Sequence, residues 1–366
     1  MSTRTMQSDK VLLILFGVLV AFGIVMLTSA GSAIGLERFD DSYFFVKRQL
    51  LYGLLPGTFI FFLCVRVSLD FVKRNAFFIF VVCISLLLLV FIPGIGSSYN
   101  TGANSWLQIW NYSFQPSEFA KLALIIFFAA YLGKKSEELL NFQQGFLMAL
   151  ALAGIPIVLV ALQPDIGTVA ILFAIVIGML FVAEAKILHI SLLAGAGIFV
   201  FFLMTIIAPY RAERLTTFLH PELDPQGIGY QINQSFIAIG SGGIFGHGLG
   251  HSRQKYQYLP EVHADSIFAI IAEEMGFVVT IGFILLLVFI TIRGLKISRT
   301  APDMFSRLLV AGIIIWIVAQ SFLNIGAIVG LLPLTGVPLP FVSHGGTALM
   351  IAMAGMGFVI NVSRHT

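Results

Sequence analysis

Long uncharged apolar runs dominate this chain, and they leave few folds open to it. A helix that crosses a bilayer needs about 20 mostly apolar residues. Ten stretches qualify, near residues 11–30, 49–65, 76–92, 116–132, 144–162, 166–183, 189–208, 266–292, 307–330 and 344–362. In lipid only helices and closed barrels satisfy their own backbone hydrogen bonds. These runs are continuous rather than alternating, which excludes a barrel. Composition agrees, with 58% hydrophobic and 11% charged residues against about 25% charged in a soluble domain. The expected fold is an all-α polytopic membrane protein of about ten transmembrane helices, one integral membrane domain over residues 1–366. No separate soluble domain and no internal repeat is visible, and nucleic acid is not an expected partner.

Charge distribution orients the bundle. With the N-terminus in the cytoplasm, the inside segments hold 13 Lys and Arg, and the short outside loops hold three, Arg38, Lys47 and Arg48. Positive residues in short loops stay inside, so both termini are expected in the cytoplasm and the long 209–265 loop outside, between the seventh and eighth spans. Arg4 and Lys10 precede an apolar run too long for the core of a cleavable signal, so an uncleaved first helix is expected. Cys64 and Cys83 fall inside spans and read as packing residues. No metal site is evident, although a divalent cation stays open as a cofactor.

Polar chemistry gathers on the outside face. Residues 93–115 form an uncharged Gly/Asn/Trp loop, Gln163 to Gly167 a polar kink, and 331–346 a Pro- and Gly-rich segment. Gln226 to Ile239 has a roughly helical mix suited to the interface plane. Asp265 ends the long loop where a span begins. It reads as a helix N-cap or as a general base, since partial desolvation raises a carboxyl pKa; the two roles are compatible. On a regular helix Ala269, Ala272 and Gly276 would share its face.

Four further charges lie inside spans. Glu118 and Lys121 are three apart and can pair; the alternatives are a plain intramembrane ion pair or a Lys121 that binds an anionic head group with Glu118 positioning it. Glu273 and Glu274 lie about 12 Å along their helix, and Glu274, facing away from Asp265, is expected to pair with another helix. Trp106, Trp110 and Tyr112 are belt aromatics or sugar-stacking platforms. Arg211 and Arg214 are solvated charges or phosphate ligands. The run Gly240 to Gly250 lacks a dinucleotide fingerprint, and His247 with His251 is not expected to bind metal.

Taken together these motifs resemble the SEDS family (shape, elongation, division and sporulation; FtsW, RodA and SpoVE) over nearly the whole chain. The resemblance rests on Gly102-Ala103 with Trp106, Gln115 to Glu118 with Lys121, Gln163 to Thr168, and Gly229-Tyr230-Gln231 with Gln234-Ser235. It also rests on Leu259-Pro260-Glu261 with His263 and Asp265, and on Leu339 to Ser343 before Gly345-Gly346. Three positions depart from the family pattern: His344 for Tyr, Thr347 for Ser and Ala272 for Gly. Asp41 to Leu50 looks more like the division-type, FtsW-like branch.

The resemblance implies ten membrane helices in the bacterial cytoplasmic membrane and a peptidoglycan glycosyltransferase acting in cell division or cell shape. It implies lipid II as substrate, undecaprenyl pyrophosphate as leaving group, Asp265 as the catalytic carboxylate acting as general base, and a class B penicillin-binding protein among divisome or elongasome partners. Substrate-binding candidates are Trp106, Glu118, Lys121, Asp165, Arg211, Arg214, Gln231, Glu261, His263, Ser343 and His344. Two other readings stay open: a lipid II flippase with a polar path along Glu118, Lys121, Glu273 and Glu274, and a non-catalytic scaffold packing through Gly312, Ala319 and Gly326.

Overall fold

The computed structural model describes residues 8–94, 96–97, 105–109, 112–135, 145–207, 215–220, 224 and 227–366. Among the described residues, each of the ten apolar runs lies largely on a helix. The first half comprises α1 (Lys10–Ala30), α2 (Ser32–Phe39), α3 (Phe44–Gln49), a π turn (Leu50–Leu54), α4 (Leu55–Arg66), α5 (Leu69–Arg74), α6 (Ala76–Leu89) and α7 (Pro116–Lys135). The second half comprises α8 (Leu147–Leu162), α9 (Ile166–Val182), α10 (Ile187–Ile207), α11 (Ile228–Ser241), α12 (Ile267–Arg299), α13 (Met304–Ile328) and α14 (Gly346–Ser363). Among the described residues, six spans are long and apolar enough to cross a membrane: α1, Phe44–Arg66, α7, α12, α13 and α14.

Phe77, Phe78, Leu162 and Phe199 are exposed on peripheral helices, as lipid-facing side chains must be. α7 and α14 are the most enclosed spans. α14 meets α4 through backbone contact: a Cβ at Gly357 would stand 2.7 Å from the Phe61 carbonyl oxygen. Small residues permit such approach where apolar burial cannot drive association. Within 93–115, expected as a loop, the chain forms a three-stranded antiparallel meander of β1 (Gly96–Ser97), β2 (Trp106–Ile109) and β3 (Tyr112–Phe114), with Ser97 opposite Trp106 and Ile109 opposite Tyr112.

The two ends of the bundle are chemically distinct. At one end Asp9 caps α1 by accepting from the Leu12 N–H and pairs with Arg293 at 2.6 Å. The Asp9 N–H donates to Ser363, and Asn361 donates to the Cys64 and Val67 carbonyls. The start of α1 and the end of α14 therefore share a face with the end of α4 and the basic last turns of α12. The interfacial segment is also helical, as α11.

A second element departs from expectation. The eighth span is not a continuous helix, because Gly276 sits at φ 72°, ψ −179°, a conformation essentially confined to glycine. The break orphans four backbone groups, and the Gly-rich turn after α11 takes up all four. The His247 and Gly248 N–H groups donate to the Glu273 and Glu274 carbonyls, while the Phe277 and Val278 N–H groups donate to the Gly243 and Ile244 carbonyls. Non-helical backbone at membrane depth is tolerated when protein satisfies it in this way. Gly276 therefore does not continue an Asp265 face.

Candidate active site

The loop ending at Asp265 is anchored by buried Leu259 and Val262 and turns sharply at Glu261, whose φ is 50°. The Ala264 and Ser266 N–H groups both donate to the Glu261 carbonyl. Three successive carbonyls are then clamped from outside the loop. His263 O accepts from the His344 N–H at 2.8 Å, Ala264 O from the Ser343 hydroxyl, and Asp265 O from Asn324 Nδ2 at 2.8 Å. The backbone carrying the acid is thus fixed before any ligand arrives, which is the condition for positional catalysis.

The Asp265 side chain is half-buried. Its Oδ1 accepts from Gln231 Nε2 at 3.4 Å, and the same nitrogen donates to the Ser266 hydroxyl at 2.9 Å. The residue preceding the first helical turn is Ser266, with no side-chain capping bond. The N-cap expected at Asp265 is therefore one residue displaced, and its carboxylate is turned toward α11 instead. A cleft beside it is lined by Asn324, Leu334, Thr335, Gly336 and Val337.

Ser343 and His344 belong to the clamp. The Ser343 hydroxyl also accepts from the Leu339 N–H, and Gln49 bridges the Ser343 carbonyl and the Gly345 N–H. The Phe45 ring lies against His263 at 4.0 Å between centroids, tilted by 33°, and meets His344 edge-on at 5.2 Å. Burial holds the His263 imidazole down at about 3, helped by His344 and Arg38. Burial likewise holds His344 at about 4, helped by Arg48. Both rings are neutral at physiological pH. Glu261 is exposed, 3.9 Å from His263.

Deeper in the bundle, Lys121 Nζ donates to Glu118 Oε1 and Gln320 Oε1, each at 2.8 Å, and lies 5.1 Å from the Trp316 ring centroid. Lys121 is fully buried. Gln320 Nε2 donates to the Pro338 carbonyl at 2.9 Å, and Asn324, one turn on, donates to the Val337 carbonyl at 2.8 Å. A polar ladder along α13 therefore ties the Lys121 pair, the Pro-rich segment and the Asp265 backbone into one unit. A narrow cavity beneath that segment is lined by Glu118, Trp316, Gln320, Pro338 and Ser343. Glu118 Oε2, buried at its edge, has no hydrogen-bond partner among the described residues.

The remaining candidates are dispersed. Asp165 caps α9 by accepting from the Thr168 N–H, with the Ser117 hydroxyl at 3.5 Å. Trp106 is half-buried in β2. Arg211 and Arg214 lie outside the described residues, as do Gly102, Ala103 and Trp110. Glu274 pairs as expected, with Lys255 at 3.0 Å and with Ser29 on α1. Glu273 accepts from the Ser252 hydroxyl and the Arg253 N–H. Among the described residues no group of three or more His, Cys, Asp or Glu could hold a metal ion. Sequence reasoning missed Gln320, Asn324 and Trp316; their signal is polar atoms spaced by four inside an otherwise apolar span.

Comparison with known proteins agrees with this architecture. The family model described as cell cycle protein, FTSW_RODA_SPOVE, matches residues 9–366. Stage V sporulation protein E of Bacillus subtilis (strain 168) is 41% identical, covering 100% of both chains. The probable peptidoglycan glycosyltransferase FtsW of Geobacter sp. (strain M18) is 38% identical over 97% of this chain and 96% of its own. Among solved structures, a chain from work on structural coordination of polymerization and crosslinking by a peptidoglycan synthase complex superposes with a TM-score of 0.79 at 27% identity, covering 98% of each chain. The rod shape determining protein RodA of Thermus thermophilus superposes with a TM-score of 0.71 at 26% identity, covering 98% of this chain and 97% of that one. The clamped acid thus sits in a fold shared from end to end with these proteins, and the chain belongs to the FtsW/RodA/SpoVE family of integral membrane cell cycle proteins.

Proposed function

We propose that this protein is a peptidoglycan glycosyltransferase that polymerises lipid II at the outer face of the cytoplasmic membrane. The single observation that carries the reading is Asp265, a half-buried carboxylate at a bundle end, its backbone held by three external donors. The family assignment supplies the substrate class. In the reaction, Asp265 takes the proton of the acceptor's GlcNAc 4-hydroxyl as that oxygen attacks the anomeric carbon of a lipid-linked MurNAc. The new glycosidic C–O bond forms with inversion as the bond to the diphosphate oxygen breaks. Undecaprenyl pyrophosphate leaves with the bonding electron pair.

The contacts argue against the flippase reading. Of the four residues that would line its path, Lys121, Glu273 and Glu274 are engaged in hydrogen-bonded networks of the folded protein, and Glu118 holds Lys121 through Oε1 while its Oε2 faces only a narrow cavity. A class B penicillin-binding protein is the proposed crosslinking partner, by analogy with the peptidoglycan synthase complex above. Polymer synthesis from purified protein and lipid II, with and without that partner, tests the proposal. Asp265→Asn keeps the carbonyl clamp and removes the base, so glycan synthesis is expected to fall by about 100-fold or more, the usual scale for a general base. Undiminished polymer from that variant would remove Asp265 from the mechanism.

A further inference from the structure

The reaction proposed above expels a diphosphate, and its charge needs a cation close to the sugar. Several cations among the described residues are already engaged, and Arg211 and Arg214 lie outside those residues. Lys121 is sealed against Glu118 and Gln320, Lys47 pairs with Asp41 at 2.7 Å, and Lys255 pairs with Glu274. Arg48 differs. Its guanidinium lies 5.3 Å from the Phe44 ring centroid and 5.6 Å from that of Tyr52, and among the described residues no carboxylate pairs with it. A guanidinium over a ring face is held by the ring quadrupole without a hydrogen-bond acceptor, so its fork of N–H donors can still meet oxygen ligands.

The surroundings place this cation beside the acid. Arg48 is one helical turn beyond Phe45, so the two share a side of α3. Phe45 lies in ring contact with His263, two residues before Asp265, and meets His344 edge-on. The next residue, Gln49, bonds both sides of His344. The charge of Arg48 is felt at His344. The helix then widens into the π turn that carries Tyr52, a local irregularity often found at functional sites.

We propose that Arg48, seated on Phe44 and Tyr52, binds the diphosphate of the polyprenyl-linked sugar while Asp265 faces the attacking hydroxyl. The assignment rests on the glycosyl-transfer reading. A planar fork of donors suits two phosphate oxygens at once, and its stacked pose is already ordered before the ligand arrives.

Binding of geranylgeranyl diphosphate to the purified full-length protein in phosphatidylcholine nanodiscs tests this without requiring turnover. Arg48→Gln, which keeps a planar stacking head and loses the charge, is expected to weaken binding by about tenfold or more, the loss of one charge-assisted contact. Arg48→Lys falls between, because the charge stays and the fork is lost; it also serves if the glutamine variant fails to fold. Inorganic pyrophosphate is expected to compete with the probe. Unchanged affinity in Arg48→Gln overturns the proposal, as does competition by phosphatidylglycerol in place of pyrophosphate, which would mark a phospholipid head-group site. Asp265→Asn is expected to bind the probe as the parent does. If that variant still polymerises lipid II, the general-base reading falls while the Arg48 measurement stands.

Discussion

Lys121 shows at the residue scale how a charge in an apolar span is held. Two charges withdrawn from water persist only when well paired and hydrogen-bonded. Lys121 meets this with a carboxylate, an amide oxygen and an indole face. Removing one partner strands the other. Lys121→Met is expected to destabilise the protein by about 3–5 kcal/mol, whereas Glu118→Leu with Lys121→Met should recover much of that loss. Thermal unfolding of the three proteins in detergent reads the difference; equal losses in the single and double variants would show that the pair does not act as a unit. The charges themselves were legible in the sequence, because an acid and a base three apart in a greasy run stand out. Gln320 and Asn324 stand out less, because their spacing by four marks one face of the helix without naming a partner. Which carbonyls they meet depends on how α13 packs beneath the Pro-rich segment.

At the scale of elements, the interrupted α12 sets the height of the acid. Its upper half, Ile267 to Met275, is fixed to the Gly-rich turn and, through Glu274, to Ser29 and Lys255. Its lower half exposes Phe277, Val278 and Phe289. The break was not legible, since one glycine in an apolar run reads as a packing residue and its splint lies some thirty positions upstream. Gly276→Ala confronts a left-handed φ and places a Cβ 2.2 Å from the Gly246 nitrogen. A cost of at least about 1–3 kcal/mol follows from the backbone conformation alone, before the clash is counted. Gly282→Ala is the matched control, with open space around its Cβ. The first is expected to lower the unfolding midpoint and polymerising activity together, and the second to leave both near the parent's; equal behaviour would mean that the break has no structural weight.

Over the whole molecule, hydropathy and charge made the helical membrane architecture readable, because lipid imposes one solution on each apolar run. They did not reveal the meander at 96–114 or the clamp around Asp265, since both arise from contacts between segments far apart in sequence. The charge asymmetry also yields a topology, and the fold makes it testable. Asp9, Arg293 and Ser363 meet at one end, and His263, His344 and Asp265 gather at the other. Positive residues in short loops are expected to place the first end in the cytoplasm, and Asp265 would then face the outer leaflet, where the proposed lipid-linked substrate would meet it. The only two native cysteines, Cys64 and Cys83, are both buried, so a membrane-impermeant maleimide should find little background. His251→Cys and Thr300→Cys occupy exposed positions on the predicted outer and inner sides. In right-side-out spheroplasts the first is expected to label and the second to label only after permeabilisation. The reverse pattern would carry the acid to the cytoplasmic surface and remove the outer-leaflet substrate from its reach.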